Sequence, residues 1–407
     1  MKILMVNKFL YPNGGSETYI FKLGKYLQSV GHEVEYFGMA HEGNCVGNSA
    51  GLYTSDMDFH TGNKLTQLTY PLKTIYSAEA KKKIGIVLND FQPDVVHLNN
   101  FNYQLTPSVV DAVKRYEKKS GKSVKLLYTA HDYQLVCPNH RLQTQDGRVC
   151  EQCLDGHYIH CLKNGCIHGS KAKSAIGMAE GALYRLRKTY RAIDCIVCPS
   201  AFMKTKLDVN PDLRGKTVVL HNFIDETKHE KTEKKDYVLY FGRYDKEKGI
   251  QNLLEATEIP FVCAGKGDLE DEIDRAPHIK NVGFQSGEDL QKLISEALCS
   301  VYPSTWYENC PFSVMESIMY GTPVVGADIG GIPELIDEGK TGFLFESGNT
   351  ASMVEAIQKI THHPATAQAM QTHCLDKKFD SISEYTAKYF RLIEDLLCQK
   401  RKNILTN

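Results

Sequence analysis

Residues 302–336 read YPSTWYENCPFSVMESIMYGTPVVGADIGGIPELI, and this stretch decides the fold. Two glutamates, Glu308 and Glu316, stand eight residues apart, with Pro311 between them and Gly321 closing a helix-like run. Pro311 suits the first turn of a helix, because its missing N–H has no intrahelical partner there and its φ is already helical. Glu308 then falls on the loop before the helix and Glu316 about a turn and a half inside it. Both carboxylates can converge on one ligand, while the helix N-terminus offers N–H groups and partial positive charge to an anion such as a diphosphate. A carboxylate accepting two neighbouring hydroxyls is a natural ribose grip, so the arrangement reads as a nucleotide-sugar site. Two glutamates at a fixed spacing also arise by chance in a long chain. The strand-like CSVYPS before this pair, and the strand PVVGAD and turn GGIPELI after it, give it meaning.

Outward from this segment the chain alternates short β-like runs with amphipathic helices. KILMVN reads as a buried strand, followed by the loop Lys8–Ser16 and a helix with Ile20, Leu23, Leu27 and Val30 on one face, capped by Gly31. EVEYFG, DVVHLNN, KLLYTAHD, DCIVCPS and TVVLHNFID continue the series as strands. A charged run after Asp225, ETKHEKTEKKD, marks a domain boundary, and a second series follows: YVLYFG, PFVCAG, NVGF, CSVYPS and PVVGAD. Strand–helix alternation of this kind predicts parallel sheets with ligands at the carboxyl ends of the strands. The expected division is 1–225, 226–382 and a last helix in 383–407.

Length and composition agree. A chain of 407 residues suits two domains of about 200 residues each. Apolar content of 42% and charged content of 24% are those of a globular protein, and a net charge of −1 argues against a bulk nucleic-acid binder. No apolar run approaches the ~18 residues of a membrane span. The start, MKILMVNKFLYPNGG, reads as a first strand rather than a signal peptide. Thirteen cysteines without a secretory signal then point to reduced thiols in a cytoplasmic protein.

Glu308-x7-Glu316 resembles the nucleotide-sugar signature of glycosyltransferase family 4, whose members are retaining enzymes of the GT-B fold, and the likeness runs through most of the chain. It implies two Rossmann-like domains with parallel sheets facing across a cleft, and a final helix crossing back to the first domain. Further motifs match. Gly14 and Gly15 lie in the loop after strand one, where glycines let backbone approach a phosphate; a plain tight turn capped by Ser16 is the alternative. Arg243 and Lys248, in GRYDKEKG after the first strand of the second domain, can clamp a diphosphate and stabilise the charge that builds on the leaving group. Lys246 is expected to face solvent. Gly265 and Gly267, in AGKGD, fail as a dinucleotide fingerprint but match the family loop under the nucleotide. His131, at the end of KLLYTAHD, matches a histidine that faces the donor sugar, and Asp132 is expected to orient it or to act on the acceptor. By the same resemblance Glu308 meets the sugar hydroxyls, Glu316 meets the ribose, and Asn309, Pro311, Phe312 and Ser313 lie along the sugar and phosphates. The turn Asn222–Asp225 lacks the family's glycine.

Two segments depart from the pattern. Cys137, Cys150, Cys153, Cys161 and Cys166, with four histidines, crowd residues 137–168. Cys150-x2-Cys153 is a ligand-type spacing that Cys161 and Cys166, or Cys137 with one of them, would complete as a structural zinc site; a loop of free thiols is the alternative. Residues 171–191 are basic, with Ile176, Ala179, Leu183 and Leu186 at helical spacing. They read either as a core-packed helix with a solvated basic face or as a surface for anionic lipid.

The reading is a retaining glycosyltransferase moving a sugar from a nucleotide-diphosphate donor, UDP-sugar favoured, to a glycan or lipid-linked acceptor in polysaccharide biosynthesis. It is expected in the cytoplasm or on the inner membrane face, with no cofactor or divalent metal needed for catalysis. A GT-B nucleotide-sugar epimerase and a zinc-organised scaffold are the competing readings.

Overall fold

A computed structural model describes residues 1–55, 70–224 and 229–405. The chain divides into two compact units, Met1–His221 with Ile382–Asn407, and Asn222–Ser381. Each carries a six-stranded parallel sheet flanked by helices.

In the first unit the strands are β1 (Lys2–Val6), β2 (Glu33–Phe37), β3 (Val95–Leu98), β4 (Lys125–Thr129), β5 (Cys195–Cys198) and β6 (Thr217–Val219), in the order β2-β1-β3-β4-β5-β6. Every residue of β3, β4 and β5 is buried, as befits interior strands covered by helices on both faces. After β1 comes the helix Gly15–Ser29, whose buried Tyr19, Ile20, Leu23 and Leu27 give the 3.6-residue stripe; Gly31 then takes φ +90 as the chain turns back. The final helix, Ile382–Leu405, belongs to this unit. It is tied there by buried Tyr385, Tyr389 and Ile393, with Tyr385 Oη 2.6 Å from Tyr19 Oη and Tyr389 Oη 3.2 Å from His97 Nδ1. Lys125 Nζ also donates to the carbonyl of Leu396 at 2.6 Å.

The second unit contains β7 (Lys235–Phe241), β8 (Phe261–Ala264), β9 (Ile279–Asn281), β10 (Ala297–Tyr302), β11 (Val324–Ala327) and β12 (Gly342–Phe345), in the order β12-β11-β10-β7-β8-β9. Three details differ from the sequence reading. The strand expected at NVGF falls slightly earlier, at Ile279–Asn281, because Ile279 supplies the buried side chain. GFLF at 342–345, too short and glycine-led to stand out, is the edge strand β12. The division falls at His221/Asn222, ahead of the charged run. Asn222 Nδ2 donates to the carbonyl of Cys310 at 2.8 Å, and Ile224 pairs with Ser381, so both belong to the second unit. Asp225 lies outside the described residues.

Both sheets reverse direction once, between β1 and β3 and between β7 and β10. In a doubly wound sheet, ligands bind beyond the carboxyl ends of the strands at that reversal.

Candidate active site

In the second unit the reversal brings together the loops after β7 and β10. They line a cavity of about 40 Å³ formed by Gly242, Lys248, Ser304, Glu308, Pro311 and Ser313 with Tyr240, Phe241, Tyr302 and Ile332. Pro311 caps the helix Phe312–Met319, so that helix starts at the cavity wall. Glu308 is buried, and three donors meet its Oε1: Lys248 Nζ at 2.6 Å, Trp306 Nε1 at 2.7 Å and Ser304 Oγ at 2.9 Å. Burial by itself would raise the Glu308 carboxyl, but Lys248 and the two neutral donors outweigh it and hold it below its ordinary range. The Lys248 ammonium also sits 5.2 Å from the centre of the Trp306 ring. The result is an ionised carboxylate with one oxygen saturated, beside an ammonium whose further N–H groups can reach an anion.

Neighbouring backbone holds this loop. Gly330, at φ +62, packs so closely that a Cβ there would meet the Glu308 carbonyl oxygen at 2.3 Å, and Gly331 N donates to that same oxygen at 2.7 Å. Trp306 and Ser304 carried no role in the sequence reading, and the glycine pair was read only as the turn GGIPELI.

Other expected residues stand further out. Arg243 does not line the cavity; its guanidinium is largely exposed and pairs with Asp245 at 2.9 Å and Glu247 at 3.6 Å. Lys246 is exposed. Glu316 is half-buried on the helix after Pro311, outside the cavity lining, and its charge is felt by buried Tyr302. Phe312 and Asn309 are half-buried on the same stretch. Gly265 and Gly267 have a packing explanation of their own. A Cβ at Gly265 would lie 1.9 Å from the Gly242 carbonyl oxygen, and one at Gly267 would lie 2.6 Å from Tyr244 N. These glycines therefore let the loop after β8 back the Gly242–Tyr244 turn.

In the first unit the reversal gathers the loops after β1 and β3. Asn100 N donates to Asn7 Oδ1 at 2.9 Å, and Asn100 Nδ2 donates to Ser16 Oγ at 2.9 Å. Buried Glu17 accepts from Asn7 Nδ2 and Ser16 Oγ, both at 2.8 Å. Gly14 is the N-cap with extended backbone at φ −175, and the helix begins at Gly15, so Ser16 lies inside the first turn instead of capping it. His131 follows β4, its Nε2 2.9 Å from Asn99 Oδ1 and its ring edge-on to Tyr19 at 5.1 Å. Desolvation holds the imidazole well below its usual range, so it is neutral near pH 7. The expectation that Asp132 orients His131 is corrected. Asp132 Oδ1 accepts from Gln134 N at 2.9 Å and Oδ2 stands 3.7 Å from His140 Nδ1, a local turn bond that a two-residue spacing favours. Desolvation raises the Asp132 carboxyl to about 6.

The family profile Glycosyltransferase Family 4 matches residues 13–228, and Glycosyl transferases group 1 matches residues 222–373. Sucrose-phosphate synthase from Thermosynechococcus elongatus superposes with a TM-score of 0.71 at 15% identity, covering 98% of this chain and 99% of that one. Anabaena HepE in complex with UDP gives 0.66 at 16%, covering 97% and 100%. Among curated relatives, alpha-D-kanosaminyltransferase of Streptomyces kanamyceticus is 28% identical over 33% of this chain and 38% of its own length. The amylovoran biosynthesis glycosyltransferase AmsK of Erwinia amylovora is 27% identical over 31% and 36%. Across three of the curated relatives the match spans 38% to 58% of the relative's own length. The fold is that of the GT-B class. Within it, this chain belongs to glycosyltransferase family 4.

Proposed function

We propose that the chain is a retaining glycosyltransferase that moves a sugar from a nucleotide-diphosphate donor, UDP-sugar favoured, to a glycan or lipid-linked saccharide in polysaccharide biosynthesis. The observation that carries this reading is Glu308: a buried carboxylate kept ionised by Lys248 at the lip of a cavity where a helix begins. Such a carboxylate binds sugar hydroxyls, and the adjoining ammonium and helix N-terminus bind the diphosphate. In the reaction the bond from the anomeric carbon to the phosphate oxygen breaks and a bond to the acceptor oxygen forms on the same face. The acceptor's proton passes to the departing phosphate. Lys248, and Arg243 once released from Asp245 and Glu247, stabilise the diphosphate charge, so catalysis requires no divalent metal. Neutral His131, held by Asn99, supports the sugar, and Glu316 binds the ribose. UDP in the HepE complex and the polysaccharide role in AmsK's name support the donor and the setting.

Thermal stabilisation against UDP, GDP, ADP, dTDP and their sugar conjugates tests the site. A ligand at a hundredfold its Kd adds about 2.7 kcal/mol. One nucleotide should stabilise the wild type and not Glu316→Ala; no response to any nucleotide would overturn the reading. Conversion of donor sugar in the absence of any acceptor would favour an epimerase instead.

A lipid-linked acceptor fits the helix Lys171–Leu186. Its buried residues are Ser174, Gly177, Glu180 and Tyr184, so the stripe Ile176, Ala179, Leu183 and Leu186 is not the face turned inward. Leu186 is 82% exposed beside exposed Arg185, Arg187 and Lys188. We therefore assign this end to peripheral contact with anionic lipid. Sedimentation with anionic but not neutral vesicles, abolished in Leu186→Glu/Lys188→Glu, is expected; equal sedimentation of the variant would remove the assignment. No helix among the described residues is long and apolar enough to cross a membrane.

A further inference from the structure

Between β4 and the helix Lys171–Leu186, residues 137–168 hold very little regular structure: a bridge between Gln143 and Val149 and the short helix Ile159–Asn164. One small apolar cluster inside this excursion is Cys153, Tyr158 and Cys161, with half-buried Cys166, Ile167 and Met178 against it; Cys137, Leu142 and Leu154 are buried as well. His140, Leu142 and His168 adopt positive φ of 66, 50 and 50, a region unfavourable to residues bearing a Cβ. Such conformations persist only where the surroundings over-determine them, and so small a cluster is a poor candidate for that task.

The cysteines are placed to do it. Cys137, Cys150, Cys153, Cys161 and Cys166 all line one cavity, with His160, of about 10 Å³. That is about one water-sized sphere, room for a single ion. Cys137 Sγ donates to Asn139 Oδ1 at 2.9 Å, and Cys150 Sγ accepts from Asn164 Nδ2 at 3.9 Å. No disulfide joins any of the five.

We infer that this cavity is a structural zinc site in which four of the five thiolates, Cys150 and Cys153 among them, bind one Zn²⁺ and staple the excursion. Among the described residues no group of three or more His, Cys, Asp or Glu side chains is placed to hold a metal ion as it stands. Binding therefore requires Cys137 and Cys150 to give up their bonds to Asn139 and Asn164 and the thiols to turn inward, to sulfur–zinc distances of about 2.3 Å. Each ligating thiol releases its proton to solvent as the sulfur–zinc bond forms. The spacing Cys150-x2-Cys153, then Cys161 and Cys166, brings ligands from the turn after the Gln143–Val149 bridge, from within the short helix and from just beyond its end, so one ion ties these pieces together.

The test is metal analysis of the full chain purified without a metal-affinity tag and dialysed against metal-free buffer. About one zinc per chain is expected, released stoichiometrically by an organomercurial, and lost in Cys150→Ser/Cys153→Ser. Should that variant fail to fold, the wild type still decides. A strong chelator should lower its Tm and open residues 137–168 to protease, with both effects reversed by added Zn²⁺. Cobalt in place of zinc should give thiolate charge-transfer and tetrahedral d–d bands. Less than about half an equivalent of zinc in the wild type overturns the proposal, as does a disulfide between any two of the five, or an unchanged zinc content in the double variant.

Discussion

Two buried glutamates, one in each unit, stand in opposite charge states. Glu308 accepts from Lys248, Trp306 and Ser304 and is held ionised below its ordinary range. Glu180, on the helix Lys171–Leu186, is just as thoroughly buried. Its Oε1 has no hydrogen-bond partner among the described residues, and desolvation pushes it up to about 8. Burial is common to both; the ammonium is not. Desolvation acts alike in the two units: it drives His97 down to about 3 and Asp132 up to about 6 in the first, and Lys234 down to about 8 in the second. In the second, a paired charge is retained beside the cavity. A charged pair in a partly dry site is worth keeping where it meets an anion or developing charge, and is otherwise replaceable by neutral contacts.

Breaking the pair should give the largest effect. Glu308→Gln keeps the shape and removes the charge, and sugar transfer should fall by about two orders of magnitude or more, read as kcat in a donor–acceptor assay. Lys248→Met should fall comparably, and the double variant should lose far less than the product of the two, because each single change strands the other's charge. Additive losses would mean that the pair does not act as a unit.

Stability against pH sharpens the contrast, because the two carboxyls carry opposite signs. For Glu308 the folded value lies below the unfolded one, so its contribution is present above the unfolded value, near 4.5, and is lost as pH falls through the folded value. For Glu180 the folded value is raised to about 8, so stability is greatest below about 4.5 and declines as pH rises toward 8. The decline can reach about 1.4 kcal/mol per pH unit. Glu180→Gln should flatten it, measured as Tm or denaturant midpoint from pH 5 to 8. A wild type whose stability rises over that interval, with the variant unchanged, would show that Glu180 ionises freely.

The smallest expected effect is at Trp306, the chain's single tryptophan. Trp306→Phe keeps a ring under Lys248 but removes the N–H donated to Glu308. With Lys248 and Ser304 still in place, donor KM should rise by about fivefold with kcat nearly unchanged. In the wild type, tryptophan fluorescence should respond to UDP-sugar and not to acceptor alone.

Much of this was legible beforehand. The strands β1 to β8, β10 and β11 announced themselves as short apolar runs between helical stripes, and Pro311 and Gly321 marked the helix after Glu308, the proline because its φ is fixed and the glycine because it takes φ +73 without strain. β12 was not legible: GFLF is too short and too glycine-led to separate from a turn. The apolar stripe of residues 171–191 is real, but Ser174, Gly177, Glu180 and Tyr184 are the residues turned inward. Periodicity reports that a face exists, and only packing reports which face is covered.

What the amino-acid order determined by itself was local: the alternation of strand and helix, the proline and glycine punctuation, and the presence of Glu308, Lys248 and His131 at strand ends. Those features depend on period and backbone preference, which act over a few residues. Which side chains meet was decided by tertiary structure. Lys248 lies sixty residues before Glu308 and joins it because β7 and β10 are neighbours. Asn99 rather than adjacent Asp132 holds His131 because β3 runs beside β4. The charge states of Glu308 and Glu180 depend on such partners, since desolvation raises both and Glu308 alone has Lys248, with Trp306 and Ser304, to reverse the sign.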